Sequence, residues 1–251
     1  MIENKKTVED TYSTGAIVDS ISSSVQMKQV MVQQTPGRYM LKAMMAGFLL
    51  SIVTVFMFGI KTQFASTHVD GLINLMGAIA FSLGLILVVL TNSELLTSNF
   101  MYFTVGLYYK VVSVKKMTWI LLYCFLGNIL GGFVLFFLMK FAHVMTPEMT
   151  QALTALVQKK TVDSTWLNIF TKGIFFIACG VVVFVYMGYE HVVFNAGLYA
   201  GMVFFNLDAV SWLHVLKNIV FAFLGNFVGG GIFVGLVYAF LHGKRNRLAH
   251  Q

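Results

Sequence analysis

Three residues in this chain are expensive to place in an apolar setting: Glu94, Glu190 and His191. Each lies in a polar interruption of a long apolar run. The first interruption reads Thr91-Asn92-Ser93-Glu94-Leu95-Leu96-Thr97-Ser98 and the second Gly188-Tyr189-Glu190-His191. A carboxylate near the middle of a membrane helix costs about 2.5–3.5 kcal/mol on insertion scales. Such a group is usually functional or held by a partner. Helix ends at a break expose unpaired N–H groups and a partial positive charge. Glu94 and Glu190 are therefore expected to cap the broken helices as scaffold, ahead of any direct contact with a substrate. His191 is the sharper functional candidate. It is the only histidine deep in an apolar stretch, since His68, His143, His214, His242 and His250 fall near ends or in loops. A lone buried histidine is most often just a satisfied polar group. This one adjoins a carboxylate, sits on a break, and has only Leu95 as its counterpart in the first half. Two half-helix ends facing each other would offer N–H groups, the Thr97 hydroxyl and the His191 imidazole to a small anion. The glutamates would favour imidazolium or orient the ring.

The elements that must position these residues are membrane helices. The chain has 251 residues, 58% of them apolar and 11% charged, with a mean hydropathy of +0.79. Soluble domains carry about 25% charge, so a soluble enzyme and a disordered protein are both excluded. The net charge of +7 is thinly spread, which gives no face for nucleic acid. Cys124 and Cys179 lie in apolar runs and read as core residues, not as a disulfide framework or metal site. No His-Glu-x-x-His or Gly-x-Ser-x-Gly pattern is present, nor a second deep histidine for a haem. No catalytic residue, metal or cofactor is expected, and the chain does not read as an enzyme.

Crossing a bilayer takes about 20 apolar residues. Residues 39–60, 72–90, 119–139, 166–187 and 216–241 qualify. Two shorter apolar segments, 99–109 and 192–205, follow the interruptions. Basic clusters at Lys28, Arg38 and Lys42, at Lys110, Lys115 and Lys116, and at Lys244, Arg245 and Arg247 should all be cytoplasmic. That places both termini inside and demands an even number of crossings. The segment 146–163 is too polar to supply the sixth. Either 166–191 does the work of two elements or a segment is lacking.

An internal repeat accounts for the interruptions. Leu126-Gly127-Asn128-Ile129-Leu130-Gly131-Gly132 matches Leu224-Gly225-Asn226-Phe227-Val228-Gly229-Gly230. Glu94 precedes Asn128 by 34 positions, and Glu190 precedes Asn226 by 36. Repeated halves with interrupted helices point to a transport site near the bilayer midplane. Gly127, Gly131, Gly225, Gly229 and Gly235 lie at helical spacing and are expected to let helices pack closely. The expected architecture is all-α: a polytopic membrane protein with an inverted repeat and two broken helices. Residues 1–36 form an amphipathic N-terminal arm, its helix running over 16–32. Residues 37–241 form the transmembrane domain, in repeats of about 39–140 and 160–241, and residues 242–251 a basic cytoplasmic tail.

The strings Phe81-Ser82-Leu83-Gly84-Leu85-Ile86-Leu87, Asn92 through Ser98, and Phe184 through Asn195 resemble the formate/nitrite transporter family, from about Tyr39 to Leu241. The resemblance implies an aquaporin-like fold of six helices, a homopentamer in the cell membrane, and one pore per protomer. The permeant would be formate, nitrite or hydrosulfide. It implies that His191 is the central pore histidine and that Thr97 hydrogen-bonds with it. Phe81 and Phe184 match the extracytoplasmic constriction, and Leu85, Leu95 and Leu96 the cytoplasmic one. Leu96 departs from the phenylalanine common in formate channels. Asn99 and Asn195 resemble paired asparagines that hold the broken helices, and Lys160 the vestibule lysine. Against the family, roughly one helix is absent between Lys160 and Phe184. The expected function is passage of a small weak-acid anion, most readily formate, coupled to protons at His191. A nitrite or hydrosulfide channel, or a structural subunit of a membrane complex, are the alternatives.

Overall fold

A computed structural model describes the backbone of residues 14–67, 69–178 and 181–242. Most of the N-terminal arm before Thr14, the basic tail after His242, His68 and Cys179 lie outside the described residues. So do the side chains of residues 176–182 and Phe184.

Helix α1 spans Thr14–Gln34. It buries Val18, Ile21 and Val25 and exposes Met27 and Val30, the one-sided stripe of an amphipathic helix. Pro36 opens α2, Pro36–Gln63, where its missing N–H costs nothing. A 3₁₀ turn, Ala65–Thr67, leads to α3, Asp70–Leu90. After the first break come α4, Leu96–Tyr108, and α5, Val114–Phe141. The polar stretch that cannot cross forms α6, Pro147–Thr161, capped by the Thr146 hydroxyl on the Met149 N–H at 3.2 Å. Next are α7, Trp166–Ala178, and α8, Val181–Met187. After the second break, α9 spans Val192–Phe205, followed by a 3₁₀ turn at Leu207–Ala209. The last crossing is α10, Trp212–Asn226, a π-helical stretch at Phe227–Leu236, and α11, Val237–His242. Among the described residues no strand occurs. Each break contains a left-handed residue, Asn92 at φ 50° and Gly188 at φ 69°. Asparagine and glycine adopt that conformation most readily.

Glycine makes the two halves of the bundle alike. In the first half α2 lies against α5 so closely that a Cβ on Gly47 would collide with the Asn128 carbonyl, and one on Gly131 with the Met44 carbonyl. In the second half α7 lies against α10 in the same way. There Gly225 meets the Phe170 carbonyl, and Gly229 meets the Ile174 carbonyl. Met44 therefore corresponds to Ile174, and Gly131 to Gly229. The helices outside these seams carry exposed apolar residues, including the α3 stripe Leu72, Leu75, Ile79, Leu83, Ile86 and Leu90. Four helices, Pro36–Gln63, Asp70–Leu90, Val114–Phe141 and Trp212–Leu241, are long and apolar enough to cross a membrane.

The expected crossing over 166–187 is not one helix. It divides into α7, of 13 residues, and α8, of 7. At 1.5 Å per residue these are about 20 Å and about 10 Å long, against a hydrocarbon core of about 30 Å. They occupy different places: α7 packs on α10 and the π stretch, α8 on α3. So 166–191 does serve as two elements, each shortened. The carbonyl of Ala43 in the first half and that of Gly173 in the second accept the same hydrogen bond from the repeated asparagine. From Ala43 to Glu94 is 51 positions, and from Gly173 to Glu190 only 17. The shortfall thus falls at the α7–α8 joint. It does not touch α6, the breaks or the last crossing.

The close seams predict a sharp contrast among glycines. Replacing Gly131 or Gly47 with alanine should abolish the folded protein or lower its melting temperature in detergent by many degrees. Gly59→Ala, whose Cβ would meet nothing within 4 Å, should leave it unchanged or raise it slightly, since alanine favours a helix interior by up to about 1 kcal/mol.

Candidate functional site

The backbone groups of the two breaks are satisfied by two asparagines. Asn128 accepts from the Leu96 N–H at 3.1 Å and donates to the carbonyls of Glu94 at 2.9 Å and Ala43 at 2.8 Å. Asn226 accepts from the Val192 N–H at 2.8 Å and donates to the carbonyls of Glu190 at 2.7 Å and Gly173 at 2.9 Å. Each amide thus ties the first residue of a half-helix, the residue two before it and a neighbouring helix into one unit. The Glu94 N–H adds a bond to the Lys42 carbonyl at 3.1 Å. The glutamate side chains do not cap the half-helices, contrary to expectation. Among the described residues that work falls to Asn128, Asn226 and His191.

The glutamates are held as ion pairs. Glu94 is 3% exposed and pairs with Lys28, which reaches it from α1. Glu190 is 1% exposed and pairs with Lys160 of α6 at 3.1 Å. A buried carboxylate without a partner would cost several kcal/mol. Asn99 Nδ2 donates to Glu94 at 3.1 Å, and Asn195 Nδ2 to Glu190 at 2.5 Å. These two asparagines hold the carboxylates, and the broken backbone is held elsewhere, a second departure from the expected roles. Asn99 also donates to the Tyr39 hydroxyl at 3.3 Å and the Cys124 sulfur at 3.4 Å. Asn218 donates to Glu190 at 3.2 Å and to the Lys160 carbonyl at 2.9 Å. The two clusters repeat a motif of lysine, glutamate and asparagine around unlike third members.

Leu95 and His191 occupy equivalent positions, each the extended residue before a half-helix. Leu95 has no capping side chain, whereas His191 Nδ1 accepts from the Phe194 N–H at 2.9 Å. A backbone N–H can only donate, so Nδ1 is bare and the neutral ring carries its proton on Nε2. Nε2 lies 3.0 Å from the Thr97 oxygen. In that tautomer the ring donates to Thr97, leaving the Thr97 proton free to be given to a third group. Imidazolium would need a second proton on Nδ1, where the Phe194 N–H already points. The expectation that the glutamates favour imidazolium therefore does not fit this geometry.

Of the other expected site residues, Leu95 and Leu96 are buried, as is Thr97, and Leu85 is half-buried. Phe81 is buried with its ring edge-on to Phe194, centroids 5.0 Å apart. Lys160 Nζ lies 5.6 Å from the centre of the Phe194 ring, a cation–π distance. Phe81, Phe194 and Lys160 thus form one stack next to His191. The backbone of Phe184 lies in α8, and its side chain is outside the described residues.

Sequence reasoning missed Lys28, Tyr39, Asn218 and Phe194, and gave Asn128 and Asn226 no task beyond marking the repeat. A signal existed for Lys28. It stands 15 positions before Ala43, and Lys160 stands 13 before Gly173. Carrying the repeat one helix upstream pairs α1 with α6. Among the described residues no group of histidine, cysteine, aspartate and glutamate could hold a metal ion.

The asparagine ties predict the most damaging polar substitution. Asn226→Leu leaves the Val192 N–H and two carbonyls unbonded, at about 1–3 kcal/mol each. Folded yield and melting temperature should drop far below those of Asn206→Leu, which removes one bond, to Thr154 at 3.0 Å.

The comparisons with known proteins agree with this arrangement. The sequence model described as "Formate/nitrite transporter" matches residues 16–183 and 174–240, the two stretches sharing the α7–α8 joint. The chain is 30% identical to the uncharacterized transporter YrhG of Bacillus subtilis over 201 residues, 69% of this chain and 74% of that protein. It is 26% identical to the formate channel BtFdhC of Bacillus thuringiensis, over 70% of this chain and 76% of that one. It is 29% identical to the nitrite transporter NirC of Escherichia coli, over 68% and 72%. The fold is similar to a solved FNT family ion channel, with a TM-score of 0.81 at 22% identity over 90% of this chain and 98% of that chain. A pentameric formate channel solved with formate bound superposes with a TM-score of 0.67 at 24% identity, over 81% and 96%.

Proposed function

The chain belongs to the formate/nitrite transporter family, and we propose that it passes a small weak-acid anion, formate before nitrite or hydrosulfide, together with a proton at the Thr97–His191 pair. Members of the family are channels and transporters, not enzymes. The observation that carries the reading is the direction of the hydrogen bonds. The Nδ1 cap fixes the tautomer, Nε2 donates to Thr97 at 3.0 Å, and the threonine proton is left to bind a carboxylate-sized guest.

The physical obstacle is charge. A bare anion between Phe81 on one side and Leu85, Leu95 and Leu96 on the other costs many kcal/mol, and a neutral acid far less. Lys160, whose charge Glu190 balances at 3.1 Å, lies beside Phe194 and can offer the anion an ammonium N–H on its way in. While the guest rests on Thr97 it is stabilised by a hydrogen-bond donor, and a proton from the aqueous vestibule joins its carboxylate before it passes the apolar ring; the neutral His191 ring fixes the direction of the Thr97 hydroxyl. Phe184 is the proposed second aromatic of the outer constriction. The assembly is proposed to be a homopentamer in the cell membrane with both termini in the cytoplasm. It rests on the pentameric formate channel of like fold and on the basic clusters at Lys28 and Lys110–Lys116.

One observation favours a second reading. The hairpin of α7 and α8 reaches only part of the way through the bilayer. A subunit with that defect would serve as a structural component of a membrane complex and pass nothing by itself.

Flux of formate, nitrite and hydrosulfide into proteoliposomes over a range of pH tests both. The expected result is formate flux that rises as pH falls. His191→Asn keeps an oxygen able to cap α9 but has no Nε2–H to hold the Thr97 hydroxyl toward the guest, so its flux should lose the rise at low pH. Thr97→Val should cut flux about tenfold, the size of one lost hydrogen bond. An unchanged pH profile in the His191 variant sinks the proton coupling, and no flux of any of the three ions supports the structural reading.

A further inference from the structure

Behind the second break two polar atoms have no hydrogen-bond partner in the protein: Asn195 Oδ1 and the Tyr199 hydroxyl. The residues are 0% and 4% exposed. They stand four apart on α9 and so share one face. Side chains on a helix lean toward its N-terminus, which carries the Tyr199 ring back over Asn195 toward the break. The Asn195 amide cannot turn over to help. Its nitrogen is committed to Glu190 at 2.5 Å and to Asn218 Oδ1 at 2.8 Å, both acceptors.

Two buried, unpartnered polar atoms on one face of α9 call for a partner, and a single small molecule between them can serve both. It must donate to an amide oxygen and exchange a bond with a phenol, and it must be small. We propose that Asn195 Oδ1 and the Tyr199 hydroxyl hold one buried water molecule, and that Tyr199 is through it a positioning residue for Glu190. The water fixes the Asn195 amide, the amide holds the carboxylate, and the carboxylate keeps Lys160 beside Phe194. Single waters with two to four polar partners are a regular part of protein interiors. The first half lacks the asparagine–tyrosine pair. Asn99 Oδ1 and Thr104 Oγ1 are also unbonded there, but the residue four positions on from Asn99 is Phe103. Tyr199 is thus an addition to one half of a repeated design.

The water rests on burial and geometry alone, and its effect on flux rests on the transport reading above. The experiment keeps the two apart. Structures of the full chain and of Tyr199→Phe, at a resolution that orders solvent, are compared at this site. Wild type should show density within hydrogen-bond reach of both atoms, and the variant should lose it. No density in wild type, or density that persists in the variant, overturns the water. In proteoliposomes Tyr199→Phe should lower maximal flux about two- to tenfold, the effect of one hydrogen bond. Its pH profile should also move, because the titratable groups around the site are Glu190 and His191 at the break and Lys160 on α6. A wild-type profile in the variant overturns the positioning role. Absence of flux in wild type sinks the transport reading and leaves the density result to stand by itself.

Discussion

Hydrocarbon offers no hydrogen bonds, so a helix that stops inside a bilayer must find partners within the protein for every backbone group it frees. The rest of this molecule follows from that requirement. Asn128 and Asn226 each bind three backbone groups, one on the half-helix, one on the residue two before it and one on a neighbouring helix. Such reach requires the long helices to approach closely. That in turn requires glycine at 47 and 131 in the first half, and at 173, 225 and 229 in the second. The Gly-Asn-x-x-Gly-Gly string is one device: the asparagine does the bonding and the glycines bring it within range.

Charge is organised by the same logic. Glu94 and Glu190 sit where water is excluded, and each is matched by a lysine from an amphipathic helix outside the bundle. Helices α1 and α6 are therefore part of the repeated unit and not appendages. The halves differ at the equivalent positions 95 and 191, where one has leucine and the other histidine, so the repeat carries an imidazole at one of its two breaks.

Much of this was legible in the residues. The spans over 39–60, 72–90 and 119–139 show as apolar runs, the breaks as polar interruptions, and the repeat as a duplicated string. His191 and Thr97 were singled out, and their atoms stand 3.0 Å apart. What stayed hidden was long-range. Lys28 lies 66 positions from Glu94, and an amphipathic helix gives no sign of which cation it points inward. The glutamates looked like caps because a break needs acceptors, yet a neutral amide supplies acceptor and donor together without a buried charge. The sequence left open whether 166–191 serves as two elements, because the run from 173 to 187 is apolar without a polar interruption.

The short hairpin also bears on the surrounding lipid. Pieces of about 20 Å and about 10 Å face a hydrocarbon layer of about 30 Å, while the crossing Trp212–Leu241, on which α7 packs, runs well past it. A bilayer adapts to such a step by thinning, at fractions of a kcal/mol per ångström of mismatch. One flank of each subunit would then be ringed by a dimple in a single leaflet. Such a protein would settle preferentially in thin, fluid membranes and gather where the leaflet is already compressed.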